Sequence, residues 1–252
     1  MTSLEEQYAS ADNLRARIAL HARYSTNPYP YPRWVFDGYK FGEEADVLEV
    51  GCGDGMIWRE NLDHLPGGWQ LTITDQSEGM VETVSEVLGR RASYAVARVE
   101  ELPFGEESFN VVIANHMLFH VEDRPRALAE IRRVLRRGGM LTATTVGQAH
   151  LRELRELAPP QPGSQFEWTR ERFTAESARE ELAPYFTDVS LDWYPGGLRV
   201  TDTDAVVAFI RSRGDETAER LAMVREHVAA AIARDGCYPV TVSTARIRCR
   251  KP

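Results

Sequence analysis

The sequence predicts an α/β fold built on a parallel sheet. Three observations carry that expectation. Short β-rich runs alternate with helical patterns from residue 46 onward. The stretch "VLEVGCGDG" (47–55) takes a strand into a glycine-rich turn, and "FNVVIA" (109–114) is continuously apolar, as a strand covered on both faces must be.

The elements follow in order. "DVLEV" (46–50) ends at glycines, and "QLTIT" (70–74) ends at Asp75. "SYAVA" (93–97) follows a helical stretch around 78–89, and the fourth strand is "FNVVIA". In the next helix Asp123 is a good N-cap and Pro125 lies in the first turn, where proline is tolerated. Leu128, Ile131 and Leu135 form one apolar stripe. Arg132, Arg133, Arg136 and Arg137 crowd the C-terminal half, where cations suit the helix dipole, and Gly138–Gly139 are expected to stop the helix. "MLTATT" (140–145) is the fifth strand. Beyond 146 the pattern loosens: a loop "APPQPG" (158–163), a helical stretch near 175–182, and two alternating runs read as edge strands, "TDVSLDWY" (187–194) and "VTVSTARIRC" (240–249). Between those runs, 197–236 reads as an insertion with helices near 203–213 and 215–234.

Bulk properties narrow the function classes. The 252 residues suit one large domain or a domain with an appended cap. A formal net charge of −8 disfavours a nucleic-acid substrate, which needs basic surface. No apolar run approaches the ~18 residues of a membrane span. The opening "MTSLEEQYASADNLRARIAL" lacks the basic and apolar regions of a signal peptide, so a cytoplasmic protein is expected. Cys52, Cys237 and Cys249 are scattered, which suggests neither a disulfide framework nor a zinc site.

The loop after the first strand carries the chemistry. Gly51, Gly53 and Gly55 at a strand-to-helix turn let the backbone approach a nucleotide-like ligand. A dinucleotide fingerprint, G-x-G-x-x-G, would need glycine where Met56 stands. Glu49 before the loop would repel a pyrophosphate but suits a ligand carrying ammonium and sulfonium groups. Asp75, at the end of the second strand, can accept both ribose hydroxyls of an adenosine. A phosphate-free adenosine fits these residues. A tight turn with no ligand is the competing reading, and the order strand, loop, helix, strand, acid counts against it.

The chain resembles the class I S-adenosylmethionine-dependent methyltransferases, particularly those acting on small molecules. The resemblance runs through "VLEVGCGDG", "TDQSEGMVE", "VEELPFGEESFNVVIANHMLFHV" and "ALAEIRRVLRRGG", between about residues 45 and 146. It implies a Rossmann-like, doubly wound, seven-stranded sheet whose last strand is antiparallel. It further implies S-adenosylmethionine as cofactor, with Gly51, Cys52 and Gly53 at its methionine part and Asp75 on the ribose. Gln76 and Met80 would flank the adenine, the backbone around Val99 and Glu100 would frame its edge, and Asn115 would lie near the methionine. Two positions depart from the family. Arg98 stands where an acid often meets the adenine amino group, and guanidinium has no acceptor to offer; Glu100 or a backbone carbonyl would take over. Arg137 replaces the usual proline before the double glycine. The implied reaction is in-line attack on the sulfonium methyl, in which positioning could supply as much as ~7–11 kcal/mol.

The histidines in "NHMLFH" follow the fourth strand, at the sheet edge where ligands bind in open α/β folds. His116 is the candidate general base, set against a purely structural role. His116 and His120, four apart, would share a helix face, but no third metal ligand stands at suitable spacing. His120 is expected to pack at the helix entry, while His21 and Tyr24 are rival bases.

One stretch, "RYSTNPYPYPRWVF" (23–36), crowds aromatic rings among Pro28, Pro30 and Pro32. Proline lacks an N–H and favours extended structure before it, so the stretch is expected to lie across something, neither as a regular helix nor as a central strand. In the family, segments before the first strand fold over the cofactor and late insertions build the acceptor pocket. By that resemblance, 1–44 is a helical and aromatic lid ahead of a methyltransferase domain at 45–252, with acceptor-site insertions at 147–236. Tyr24 and Asn27 would then touch the donor, and Tyr29, Tyr31 and Trp34 would wall the acceptor site. The same rings could equally be packing on the sheet. The leading reading is a methyltransferase for a small-molecule acceptor. Its rivals are an RNA or protein methyltransferase, and a cofactor-binding protein that transfers no methyl group, serving as sensor, scaffold or cyclase.

Overall fold

The computed structural model describes residues 11–162, 173–214 and 216–252. Glu5 and Glu6, expected on a solvated face, lie outside the described residues. The chain forms two compact units: one from the described parts of 31–147, 173–193 and 244–252, the other from those of 1–30, 148–172 and 194–243.

The larger unit is a seven-stranded sheet. Its strands are β1 (Glu44–Val50), β2 (Gly68–Asp75), β3 (Ala92–Val96), β4 (Phe109–Asn115), β5 (Leu135–Val146), β6 (Thr187–Trp193) and the chain's last strand, Thr244–Arg250. With two ribbon strands in the other unit, β7 (Gly197–Val200) and β8 (Tyr238–Thr241), that last strand is β9. The sheet order is β3-β2-β1-β4-β5-β9-β6. The pairings of β1 to β5 are parallel, and β9 runs antiparallel to both β5 and β6. The last strand is therefore the reversed one, as the resemblance implies. The connections leave β1 in one direction and β4 in the other. The gap between those two strands is the topological switch point, where open α/β sheets bind ligands.

The helices of this unit are α2 (Tyr31–Phe36), α3 (Met56–Arg59), α4 (Glu78–Leu88), α5 (Arg124–Val134) and α7 (Ala178–Leu182). The Asp123 carboxylate accepts the Arg126 N–H, capping α5 as its sequence predicts. Leu128, Ile131 and Val134 of α5 are buried with Leu48, Val112 and Leu141 of the sheet.

Three sequence expectations change. The aromatic stretch does contain a helix, α2, because Pro32 falls in its first turn, where no N–H partner is needed. Helix α5 ends at Val134, ahead of the double glycine. Leu135 pairs with Phe109, and Arg136 reaches Asp46 at 2.7 Å and Asn110 at 2.8 Å, which holds the segment extended. The run 240–249 is not one edge strand: it divides between β8 and β9, and β9 lies inside the sheet because β6 covers its outer side.

The smaller unit packs α1 (Ala11–Tyr24), α6 (Arg152–Leu157), α8 (Thr203–Arg211) and α9 (Ala218–Asp235) with the β7–β8 ribbon. Leu20, Leu154, Val200, Val206, Ile210 and Val228 form its core. The Thr217 hydroxyl caps α9, and Gly236 closes it in the left-handed conformation. Among the described residues no helix is long and apolar enough to cross a membrane.

Removing the α5 cap tests this account of the fold. Asp123→Ala is expected to cost about 1 kcal/mol in urea denaturation, and an unchanged midpoint would show that α5 does not depend on it.

Candidate functional site

The site grows from the ends of β1, β2 and β4 in the larger unit. Gly51 and Gly53 both have left-handed φ, +66° and +55°. A Cβ on Gly51 would stand 2.8 Å from Met117 Cβ, so only glycine lets the loop pass under the segment after β4. A Cβ on Gly53 would meet nothing within 4 Å. The turn at Gly53 therefore borders open space, as a cradle for a ligand must. Its N–H donates to Asp75 Oδ2 at 3.1 Å, while Ser77 N donates to Oδ1 at 2.9 Å. Each carboxylate oxygen keeps a lone pair for a ribose hydroxyl.

Glu49 lies beneath this loop and is only 2% exposed. Trp58 Nε1 on α3 donates to its Oε2 at 2.5 Å, and Asn115 Nδ2 donates to its Oε1 at 3.2 Å. Asn115 Nδ2 also donates to the Tyr39 hydroxyl at 2.7 Å, and Asn115 Oδ1 accepts from Thr144 Oγ1 at 3.3 Å. Thr74 Oγ1 donates to the Glu49 carbonyl at 2.9 Å. Burial raises the Glu49 carboxyl to about 7, against the opposing hydrogen bonds from Trp58 and Asn115. Burial likewise pushes the Cys52 thiol far up, so it is no thiolate nucleophile.

The adenine-side residues also gather. Arg98 donates to Gln76 Oε1 at 3.4 Å and to Glu100 Oε1 at 3.0 Å, so the departing arginine ties two expected adenine neighbours together. Val99 is buried and Met80 half-buried.

His116 follows Asn115 directly. Its φ is +49°, uncommon for a residue with a side chain, and its N–H donates to the Thr144 carbonyl at 3.0 Å. Its Nε2 lies 2.6 Å from the Tyr31 hydroxyl of α2. His116 and His120 share no helix, since His120 ends a 3-10 turn at Leu118–His120. Trp34 is buried, with the Arg246 guanidinium 4.4 Å above its ring. Three expected contacts lie in the smaller unit. Tyr24 is buried in its core, Asn27 Nδ2 donates to the Pro195 carbonyl at 3.1 Å, and exposed Tyr29 accepts at its carbonyl from Tyr194 Oη at 2.6 Å.

Sequence reasoning missed Tyr39, Trp58 and Thr144. Trp58 carried a usable signal, since it falls in the first turn after the glycine loop. Tyr39 and Thr144 carried none, because they reach Asn115 only through the fold.

Glu49 makes a pH prediction. Its ordinary value is near 4.5 and its folded value about 7. The folded state therefore holds an extra proton between those values, and stability falls as pH rises through that window and is level above it. Relative to Glu49→Gln, the wild type is expected to lose about 3 kcal/mol of unfolding free energy across the window, read by denaturant melts. A constant difference between the two proteins would contradict the burial account.

Residues 48–143 match a family described as a methyltransferase domain. A malonyl-[acyl-carrier protein] O-methyltransferase of Salmonella typhimurium is 34% identical over 117 residues, covering 44% of this chain and 43% of that protein. The chain thus spans less than half the length of that curated relative. Among solved structures, phosphoethanolamine N-methyltransferase 2 of Haemonchus contortus in complex with S-adenosyl-L-methionine has a TM-score of 0.60 at 17% identity, covering 99% of this chain and 58% of that one. The [4+2]-cyclase SpnF has a TM-score of 0.60 at 17% identity, covering 98% of this chain and 96% of that one. Both structures share the fold. Motifs, sheet order and family match agree over residues 48–143, where the chain is similar to methyltransferase domains.

Proposed function

We propose that this protein transfers a methyl group from S-adenosylmethionine to a small-molecule acceptor, with His116 as the general base. The observation that carries the reading is the His116–Tyr31 pair, held at 2.6 Å beside Asn115 at the switch point of the sheet. When bound, S-adenosylmethionine supplies a methyl group already activated on a sulfonium sulfur. The residues around it fit that group: an open glycine turn, a carboxylate with free lone pairs for a ribose, and an acid near a cationic centre.

In this reading Asp75 holds the ribose, and the loop at Gly51–Gly53 lets the backbone close on the methionine part. Gln76, Met80, Val99 and Glu100 surround the adenine. Glu49 and Asn115 face the cationic end, where an ionised Glu49 favours positive charge. His116, fixed by its backbone bond to Thr144 and its ring contact with Tyr31, accepts the proton that a hydroxyl or amine acceptor loses as it is methylated. The strained φ of His116 is sustained because those two contacts over-determine it.

A small acceptor suits the acidic net charge of −8, with Tyr31 beside His116 as part of its wall. The match to the malonyl-[acyl-carrier protein] relative spans 43% of that protein, so its substrate is not transferred to this chain.

The test is release of S-adenosylhomocysteine from S-adenosylmethionine against a panel of small hydroxyl and amine compounds. With an active acceptor, His116→Ala is expected to lower kcat by about 10²- to 10⁴-fold while S-adenosylmethionine affinity holds. Tyr31→Phe is expected to lower it less. Unchanged turnover in the His116 variant would remove it from the mechanism.

A further inference from the structure

Tyr39 lies outside the family match and ahead of the first strand, yet its hydroxyl ends inside the site. The residue is only 6% exposed. Its oxygen accepts from Asn115 Nδ2 at 2.7 Å, which leaves the phenol with its own proton to give. Among the described residues the hydroxyl makes no hydrogen bond beyond that one. Burial, with the charge of Glu49, holds the phenol well above its ordinary value, so the proton stays on. A buried donor without an acceptor is costly, and such groups in native proteins call for an explanation.

A second buried donor points the same way. Arg246 pairs with Thr144 across β5 and β9 and is 9% exposed. It gives one terminal nitrogen to the Trp34 carbonyl and the other to Asp192, while its Nε has no acceptor among the described residues. Its positive charge is felt at the Tyr39 hydroxyl. This corner of the site is therefore short of acceptors.

Resting on the donor reading above, we propose that the Tyr39 hydroxyl donates its hydrogen bond to the carboxylate of the methionine part of S-adenosylmethionine. Of the groups at that end of the ligand, the ammonium only donates and the sulfonium forms no such bond. The carboxylate is the one acceptor. Asn115 Nδ2 bridges the Tyr39 oxygen and Glu49 Oε1, so one amide stands between a hydroxyl suited to the carboxylate and an acid suited to the ammonium. The two ends of a zwitterion are read on either side of Asn115.

The test is calorimetric binding of two ligands that differ only in this group, S-adenosylmethionine and its decarboxylated form, to wild type and Tyr39→Phe. Wild type is expected to prefer the carboxylated ligand. The Tyr39→Phe variant is expected to lose about 10- to 100-fold in affinity for S-adenosylmethionine and to bind the decarboxylated ligand as wild type does. Equal loss of both ligands, or no loss of either, would overturn the proposal. Should the variant fail to fold, a wild type that binds both ligands equally overturns it as well. A wild type that binds neither ligand would instead defeat the donor reading on which the proposal rests.

Discussion

The site is organised around one buried carboxyl. Glu49 sits at the end of a central strand, almost sealed from water, and an isolated charge there would carry a large desolvation cost. Two donors offset part of it: the Trp58 indole, brought round by the short helix after the glycine loop, and the Asn115 amide from the adjacent strand. That requirement fixes much of what surrounds it. Helix α3 must begin at once after Gly55, Asn115 must face Glu49 across the switch point, and Tyr39 and Thr144 must hold the remaining amide positions of Asn115.

The aromatic segment before the first strand makes that arrangement rigid. Phe36 and Tyr39 pack against Trp58, and Phe36 and Phe41 against Trp69, with ring centroids 4.6 to 6.4 Å apart. Such pairs contribute roughly 0.5–1.5 kcal/mol each beyond their buried area. The segment from Tyr31 to Phe41 grips two consecutive residues of the β4 end, His116 through Tyr31 and Asn115 through Tyr39. One short stretch of chain thus holds both His116 and Asn115 in place. Of the rings crowded between residues 23 and 36, Tyr31 and Phe36 belong to this frame.

Much of this was legible in the sequence where local physics decides. Strands that end in glycine or Asp75, a capping Asp123 and a continuous apolar run each state their structure within a few residues. The glycine spacing with Glu49 and Asp75 pointed to an adenosine without phosphates. What stayed hidden depends on distant partners. Arg136 read as a helical residue because its partner Asp46 lies 90 positions away. The run after 240 read as an edge because nothing local shows β6 on its far side. Tyr39 and Asn115 are 76 positions apart, and no spacing rule links them. Pro32 was misleading for another reason: three prolines suggest extended chain, yet one of them falls in the first turn of a helix.

The central claim is that this glycine turn, with an acid before it and another at the next strand, holds a cationic adenosine cofactor. Calorimetric titration of the purified protein with S-adenosylmethionine tests it directly, with NAD as the counter-ligand and Asp75→Ala as the control. The predicted result is binding on the order of micromolar for S-adenosylmethionine, lost in the variant, with no heat from NAD. Preference for NAD, or binding that survives without Asp75, would contradict the account.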